Sequence, residues 1–226
     1  MSNTYNILSH FESYKDGLIQ EVISLNSFLE LYVHIRRKRN DRLEILNKSP
    51  AFFQLTQESL LTSVIVGLTK IFERRNKNGR TIYNFLNYIE WNYKGIFLNK
   101  PKLNTTEITV DIIKEQRFKL EQQDHLLNNL FAWRDKSFAH MDKKYFEDRA
   151  QLGEDFPLTI KQLRLLIELV AEILNVVEGA YSDSSWSFNA TNVTDIDNIL
   201  DWLHKVEPYK GEINNLVREG YLNRNI

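Results

Sequence analysis

The stretch TIKQLRLLIELVAEILNVVEGAY, residues 159–181, decides the fold. Leu163, Leu166, Ile167, Val170, Ile173, Leu174 and Val177 recur at steps of three and four, which on a helix makes one apolar stripe. Arg164, Glu168, Glu172 and Asn175 interrupt the run, so the segment reads as a helix packed along one side and not as a membrane span. Gly153 and Pro157 punctuate the connection that leads into it.

The same stepping runs outward from this helix. At the front of the chain Ile7, Phe11, Tyr14, Leu18, Val22 and Leu25 share a face, continued more weakly by Leu29, Val33, Leu43 and Leu46. Residues 4–47 are therefore expected to be helical, in two pieces. Ser49 and Pro50 mark the next start, the serine as N-cap and the proline at the first helical position. The helix beyond them is apolar on most sides between Leu60 and Ile71, which predicts a central, buried position. Thr81 caps a shorter helix with Ile82, Phe85, Leu86 and Ile89 on its face, and residues 92–104, with Gly95 and Pro101, are expected to form a loop. A long helix follows from about Thr109, with Ile112, Ile113, Leu120, Leu127, Leu130 and Phe131 inward. Only 8 Gly and 4 Pro interrupt the chain, and no series of strands appears. The reading is all-α: a bundle of long antiparallel helices over residues 1–181, with residues 182–226 appended as a polar loop and two short helices.

Composition narrows the function. The 226 residues include no cysteine, which excludes disulfides, thiolate metal sites and cysteine nucleophiles. The opening residues Met1–Asn6 lack the basic and apolar segments of a signal peptide, so a cytoplasmic location is expected. The formal charge of −1 argues against a protein that coats DNA, whose affinity comes from neutralising phosphates. His10, His34, His125 and His204 are scattered, and no Gly-rich phosphate loop is present, so neither a metal nor a cofactor is expected.

The chemistry-bearing stretch is WRDKSFAHMD, residues 133–142. It resembles the signature of the HEPN superfamily: an arginine, a polar residue directly after it, a short spacer and a histidine. Here Arg134 and His140 are separated by five residues and Asp135 takes the polar position. The wording, Arg-Asp-Lys then Phe-Ala-His-x-Asp, looks most like the abortive-infection (AbiU-like) branch. Leu68–Arg74 and the helix over residues 81–89 resemble the helices that precede the motif there, and the similarity covers roughly residues 10–180.

The resemblance implies a HEPN-type bundle and, for many members, a metal-independent endoribonuclease. The residue types suit that chemistry. Histidine titrates near neutrality and can move the proton of a 2′-hydroxyl or leaving oxygen. Arginine stays charged and its planar fork matches phosphate oxygens. Asp135 would orient either partner. On a regular helix, six positions turn the side chain by about 600°, leaving Arg134 and His140 about 120° apart. Either the helix breaks near Phe138–Ala139, or the two groups meet counterparts from a second copy of the chain. The resemblance implies the second arrangement, an active site formed across a homodimer.

Other features carry two readings. A tyrosine often stands two residues after the family's histidine as a modification site; here Asp142 stands there and the nearest tyrosine is Tyr145. Without the resemblance, Arg134 and His140 would read as a helix-end cation and a capping histidine. Arg36, Arg37, Lys38 and Arg39, then Arg74 and Arg75 with Lys77 and Arg80 beyond, can receive RNA phosphates. A charge run is more often a solvated face, and Asp41 and Glu44 partly offset the first. Trp186 and Phe188 read as packed against their own domain. The expected function is a ribonuclease toxin or phage-defence effector acting on single-stranded or loop RNA, with an antitoxin or other partner protein. The alternative is a non-catalytic HEPN-like module that binds a protein, a nucleotide or RNA.

Overall fold

The computed structural model describes residues 2–76, 78–97, 109–139 and 143–218, and all regular structure among them is helical. The first helix, α1 (Ser2–Leu46), is one rod with a kink at Arg42, where φ is −131° and ψ 24°. The non-helical backbone at Arg42 divides it into a long and a short helical piece, as expected for residues 4–47. Pro50 opens α2 (Pro50–Ile71) at the first helical position, although the Ser49 side chain makes no capping bond. Thr81 accepts from the backbone N–H of Asn84 at 3.2 Å ahead of α3 (Ile82–Phe97), which continues past the expected end through a kink at Asn92.

Thr109 caps α4 (Val110–Glu121) by accepting from Ile112 at 3.2 Å. The long helix expected beyond Thr109 is divided: α5 (Asp124–Trp133) begins after a turn at residues 122–123. Two short helices that the sequence reading missed, α6 (Lys143–Glu147) and α7 (Arg149–Asp155), precede α8 (Ile160–Ser182). Thr159 and Gln162 form a reciprocal capping box at the start of α8, satisfying two otherwise unpaired backbone donors. The chain then forms α9 (Asp195–Val206) and α10 (Lys210–Arg218).

One apolar core joins these helices. Phe11, Ile19, Val22 and Leu29 of α1 meet Val64 and Leu68 of α2, Ile82 and Phe85 of α3, Leu130 of α5, and Leu166, Val170 and Leu174 of α8. Each side chain removed from water contributes about 1.5–3 kcal/mol. Gly67 lets α2 approach α1, since a Cβ there would lie 2.4 Å from Leu25 Cδ2. The stripe on α8 faces inward along its whole length, as its spacing predicts.

The position of α2 differs from the sequence reading. Its buried residues concentrate between Val64 and Ile71, whereas Phe52 and Leu55 in its first turns are more than half exposed. Among the described residues α2 alone is long and apolar enough to cross a membrane by length and composition, and here it packs on α1, α5 and α8.

A second, smaller cluster holds the C-terminal part. Ile196 and Leu200 of α9 pack with Ile35, Ile45, Leu46 and Phe53 at the α1–α2 turn. The segment between α8 and α9 lies against the bundle: Asn26 donates to the Phe188 carbonyl at 2.7 Å, and Asn175 accepts from the backbone N–H of Trp186 at 2.8 Å. The Trp186 indole donates to Glu178, whose carboxylate is buried in an ion pair with Lys15 at 2.5 Å. Trp186 and Phe188 therefore serve their own chain.

Candidate functional site

Helix α5 is held in place at its far end. Asn129 donates to the Pro157 carbonyl at 2.9 Å and the Trp133 indole to the Phe156 carbonyl at 2.8 Å, while Leu127 and Leu130 face the core. Directly after Trp133 the backbone widens into a π-helical turn, Arg134–Ala139. Such a turn closes i→i+5 bonds instead of i→i+4, and these turns occur frequently at functional sites. The π-helical turn does not keep the regular step behind the 120° separation as far as Ala139, and a break beyond that residue would lie outside the described residues. His140 lies outside the described residues.

Arg134 is oriented from two sides. Its Nε donates to Asp135 Oδ1 at 2.6 Å, its Nη1 donates to Glu73 Oε2 at 3.2 Å, and its guanidinium carbon lies 4.9 Å from the Phe131 ring centre. The hydrogen bond to Asp135, and then that to Glu73, hold the guanidinium above its already high ordinary pKa. The other Glu73 oxygen accepts from the backbone N–H of Arg75 at 3.2 Å, which ties the end of α2 to the motif. Nη2 of Arg134 donates no hydrogen bond among the described residues.

That side chain is 29% exposed and lines a cleft of about 700 Å³. Gly17 and Glu21 of α1, Thr69 and Lys70 of α2, and the Gly79–Arg80 turn form its other walls. The cleft thus holds a fixed cation, Arg134, with the carboxylates of Glu73 and Glu21 and the further cations Lys70 and Arg80 in its walls. Among the described residues no group of three or more His, Asp or Glu gathers to hold a metal ion.

The tyrosine nearest the motif is not accessible. Tyr145 is 6% exposed and its hydroxyl donates to Asp155 at 2.9 Å. Hydrogen bonds from Lys144, Gln151 and Tyr145 bring the Asp155 carboxyl down to about 2.

The structure separates the remaining candidates into two places. Lys38 pairs with Asp197 of α9 at 2.8 Å, beside His34, which bonds the same carboxylate at 3.0 Å. Arg36 donates to the Tyr32 hydroxyl at 3.0 Å and, with Arg39, lines a hollow of about 210 Å³. Arg37 is exposed. None of these residues lines the Arg134 cleft. Arg74 and Arg75 lie nearer the motif. Arg74 pairs with Asp124 at 2.5 Å and donates to the Tyr83 hydroxyl at 2.9 Å, and Arg75 is exposed. Lys77 lies outside the described residues.

Two residues at the cleft were not singled out from sequence. Glu73 is 61 positions from Arg134, so no spacing rule connects them, although it stands inside the stretch that carries the family resemblance. Arg80 was read only as one more member of a charge run. Its local signal, the turn residues Asn76–Gly79 before it, marks a place where the chain presents a side chain at a loop.

No curated protein and no solved structure matches the chain. The family AbiU2 matches it over residues 8–201, a span that contains the core helices, the Arg134 cleft and the first part of α9. That match covers most of the chain, and it falls on the all-helical bundle whose motif arginine stands in a cleft on a π-helical turn. The chain belongs to the AbiU2 family, a HEPN-type abortive-infection family.

Proposed function

We propose that the protein is a metal-independent endoribonuclease acting as a phage-defence or toxin effector, with its active site completed across a homodimer. The observation that carries this reading is the Arg134 guanidinium, held by Asp135 and Glu73 in the wall of a cleft, with no hydrogen bond from the Nη2 at its edge among the described residues. A phosphate oxygen at that edge receives a charged donor fixed before the substrate arrives, which is where electrostatic catalysis is strongest. His140 supplies the proton transfer at the 2′-hydroxyl or leaving oxygen. Asp135 is a positioning residue: it holds the fork and keeps Nε out of competition for the phosphate.

One observation favours a second reading. Arg134 shares its charge with two carboxylates, so the immediate trio is net negative, which weakens anion capture. A HEPN-like module that binds a partner protein, a nucleotide or RNA without cutting it fits that balance.

The deciding experiment is RNA cleavage by purified protein in EDTA, with wild type, Arg134→Ala and His140→Ala compared and the solution mass of each determined. The nuclease reading expects a dimer, cleavage in EDTA, and a loss of at least about 100-fold in either variant, the scale of one lost oxyanion donor. Intact RNA with a folded wild-type dimer, across single-stranded and loop substrates, overturns it in favour of the binding module.

A further inference from the structure

Beside the Arg134 cleft lies a second hollow of about 690 Å³, and the two share the Gly79–Arg80 turn as a common wall. Its far side is aromatic. The His10 and Tyr88 rings lie 4.7 Å apart at 38°, and the Trp91 side chain at the rim is 79% exposed. Tyr88 is held by its hydroxyl, which donates to the Ile7 carbonyl at 3.0 Å, so its ring is fixed beneath His10. An indole left this open loses the gain of burial unless something covers it.

The charge of the hollow is one-sided. The chain has 30 Asp and Glu residues against 29 Lys and Arg, yet among the described residues no carboxylate lines this groove, while Arg74 and Arg80 do. Arg80 is the freer of the two. Among the described residues it donates only to the Ser13 carbonyl and hydroxyl, both at 3.4 Å, and its guanidinium lies 5.9 Å from the Tyr14 ring centre. No carboxylate neutralises it among the described residues. Asn78 and Asn87 add amide groups.

Open aromatic faces, uncompensated guanidinium and side-chain amides in one groove are the chemistry that takes up unstacked nucleotides. An anionic lipid surface would need basic residues on a convex face, and this feature is concave. We infer that the groove is a subsite for single-stranded RNA: a base stacks at Trp91, Arg80 holds the adjoining phosphate, and the strand passes over the Gly79–Arg80 turn to Arg134. This inference rests on the nuclease reading for its second half only, since the groove can bind RNA whether or not the strand is cut.

The probe is a fluorescein-labelled single-stranded RNA of about 12 nucleotides, long enough for one such groove, titrated in EDTA and read by anisotropy. The protein is the full chain carrying His140→Ala, so that binding is measured without turnover. Trp91→Ala is expected to weaken binding about tenfold, Trp91→Phe to restore most of it, and the matched duplex to bind more weakly than the single strand. Because Trp91 is exposed, the variants should fold, and circular dichroism checks it. Equal affinity in Trp91→Ala, or preference for the duplex, overturns the subsite. If the unlabelled strand is cut by wild type and by Trp91→Ala with the same KM, the subsite falls and the nuclease stands. Trp91-dependent binding by a protein that cuts no RNA leaves the subsite and removes the nuclease. Absence of both binding and cleavage removes both.

Discussion

Between His34 and Arg42 the chain carries Arg36, Arg37, Lys38, Arg39 and Arg42, and between Arg74 and Arg80 it carries Arg74, Arg75, Lys77 and Arg80. As sequence the two runs look alike. In the fold, part of the first meets an acidic helix face: Asp197 bonds His34 and Lys38, and Asp201 bonds Arg42 at 2.6 Å. The second runs along a turn between two hollows and keeps Arg80 without a carboxylate partner among the described residues. A basic run is thus a docking strip or a ligand surface according to what the rest of the chain lays against it.

The strongest way to break this comparison is to remove the apolar anchor beneath the docking strip. Leu200 is 1% exposed in the small cluster under α9. Leu200→Ala should cost about 2–4 kcal/mol, taken locally because that cluster is separate from the main core. Proteolysis within residues 183–194 should accelerate at least about tenfold while the main thermal transition holds. A main transition that falls in step would show that α9 and the bundle unfold as one unit.

A smaller effect comes from the strip's charges. Burial pushes the Asp197 carboxyl upward, and hydrogen bonds from Lys38 and His34 outweigh it, holding the group below its ordinary range. A depressed carboxylate contributes stability that is full above the unfolded value of 3.8 and is lost as pH falls through the folded value. Asp197→Asn should therefore lower stability by about 1 kcal/mol at pH 7, or Tm by about 3 °C. The difference between wild type and variant should shrink as pH falls below 3.8. A gap that persists unchanged at low pH would assign the stabilisation to packing.

The finest test sets one cation from each run side by side. Arg80→Gln should reduce the slope of log affinity for single-stranded RNA against log salt by about 0.7, the share of one phosphate contact. Lys38→Gln, whose partner is Asp197, should leave the slope where it was. Equal slopes in the two variants would erase the distinction between the runs.

How much of this could be read in advance follows from the range of the forces. The α8 stripe, the Thr109 and Thr81 caps, and the start of α2 at Pro50 depend on residues a few positions apart, so spacing exposes them. Arg134 and Asp135 are sequence neighbours, and their bond was within reach of the motif reading. The Glu73–Arg134 and Lys38–Asp197 pairs join residues far apart in the chain, and no periodicity announces them. The π-helical turn at Arg134–Ala139 has the same origin. Its residues would suit an α-helix, and the backbone there is packed against α2 and α6. The exposed first half of α2 was misread because an apolar sequence does not say how much of it a neighbour will cover.

Helix α1 gives the two ends a common ruler. Gly17 and Glu21 line the Arg134 cleft, and Lys38 stands on the docking strip further along the same rod, ahead of the kink at Arg42. At 1.5 Å per residue the interval from Gly17 to Lys38 is about 30 Å, with no shared partners between the two sites. Energetic effects at such separations combine by simple addition, within about 0.5 kcal/mol. A chain altered at both Arg80 and Asp197 should therefore show the sum of its two single losses, so either end can be re-engineered without retuning the other.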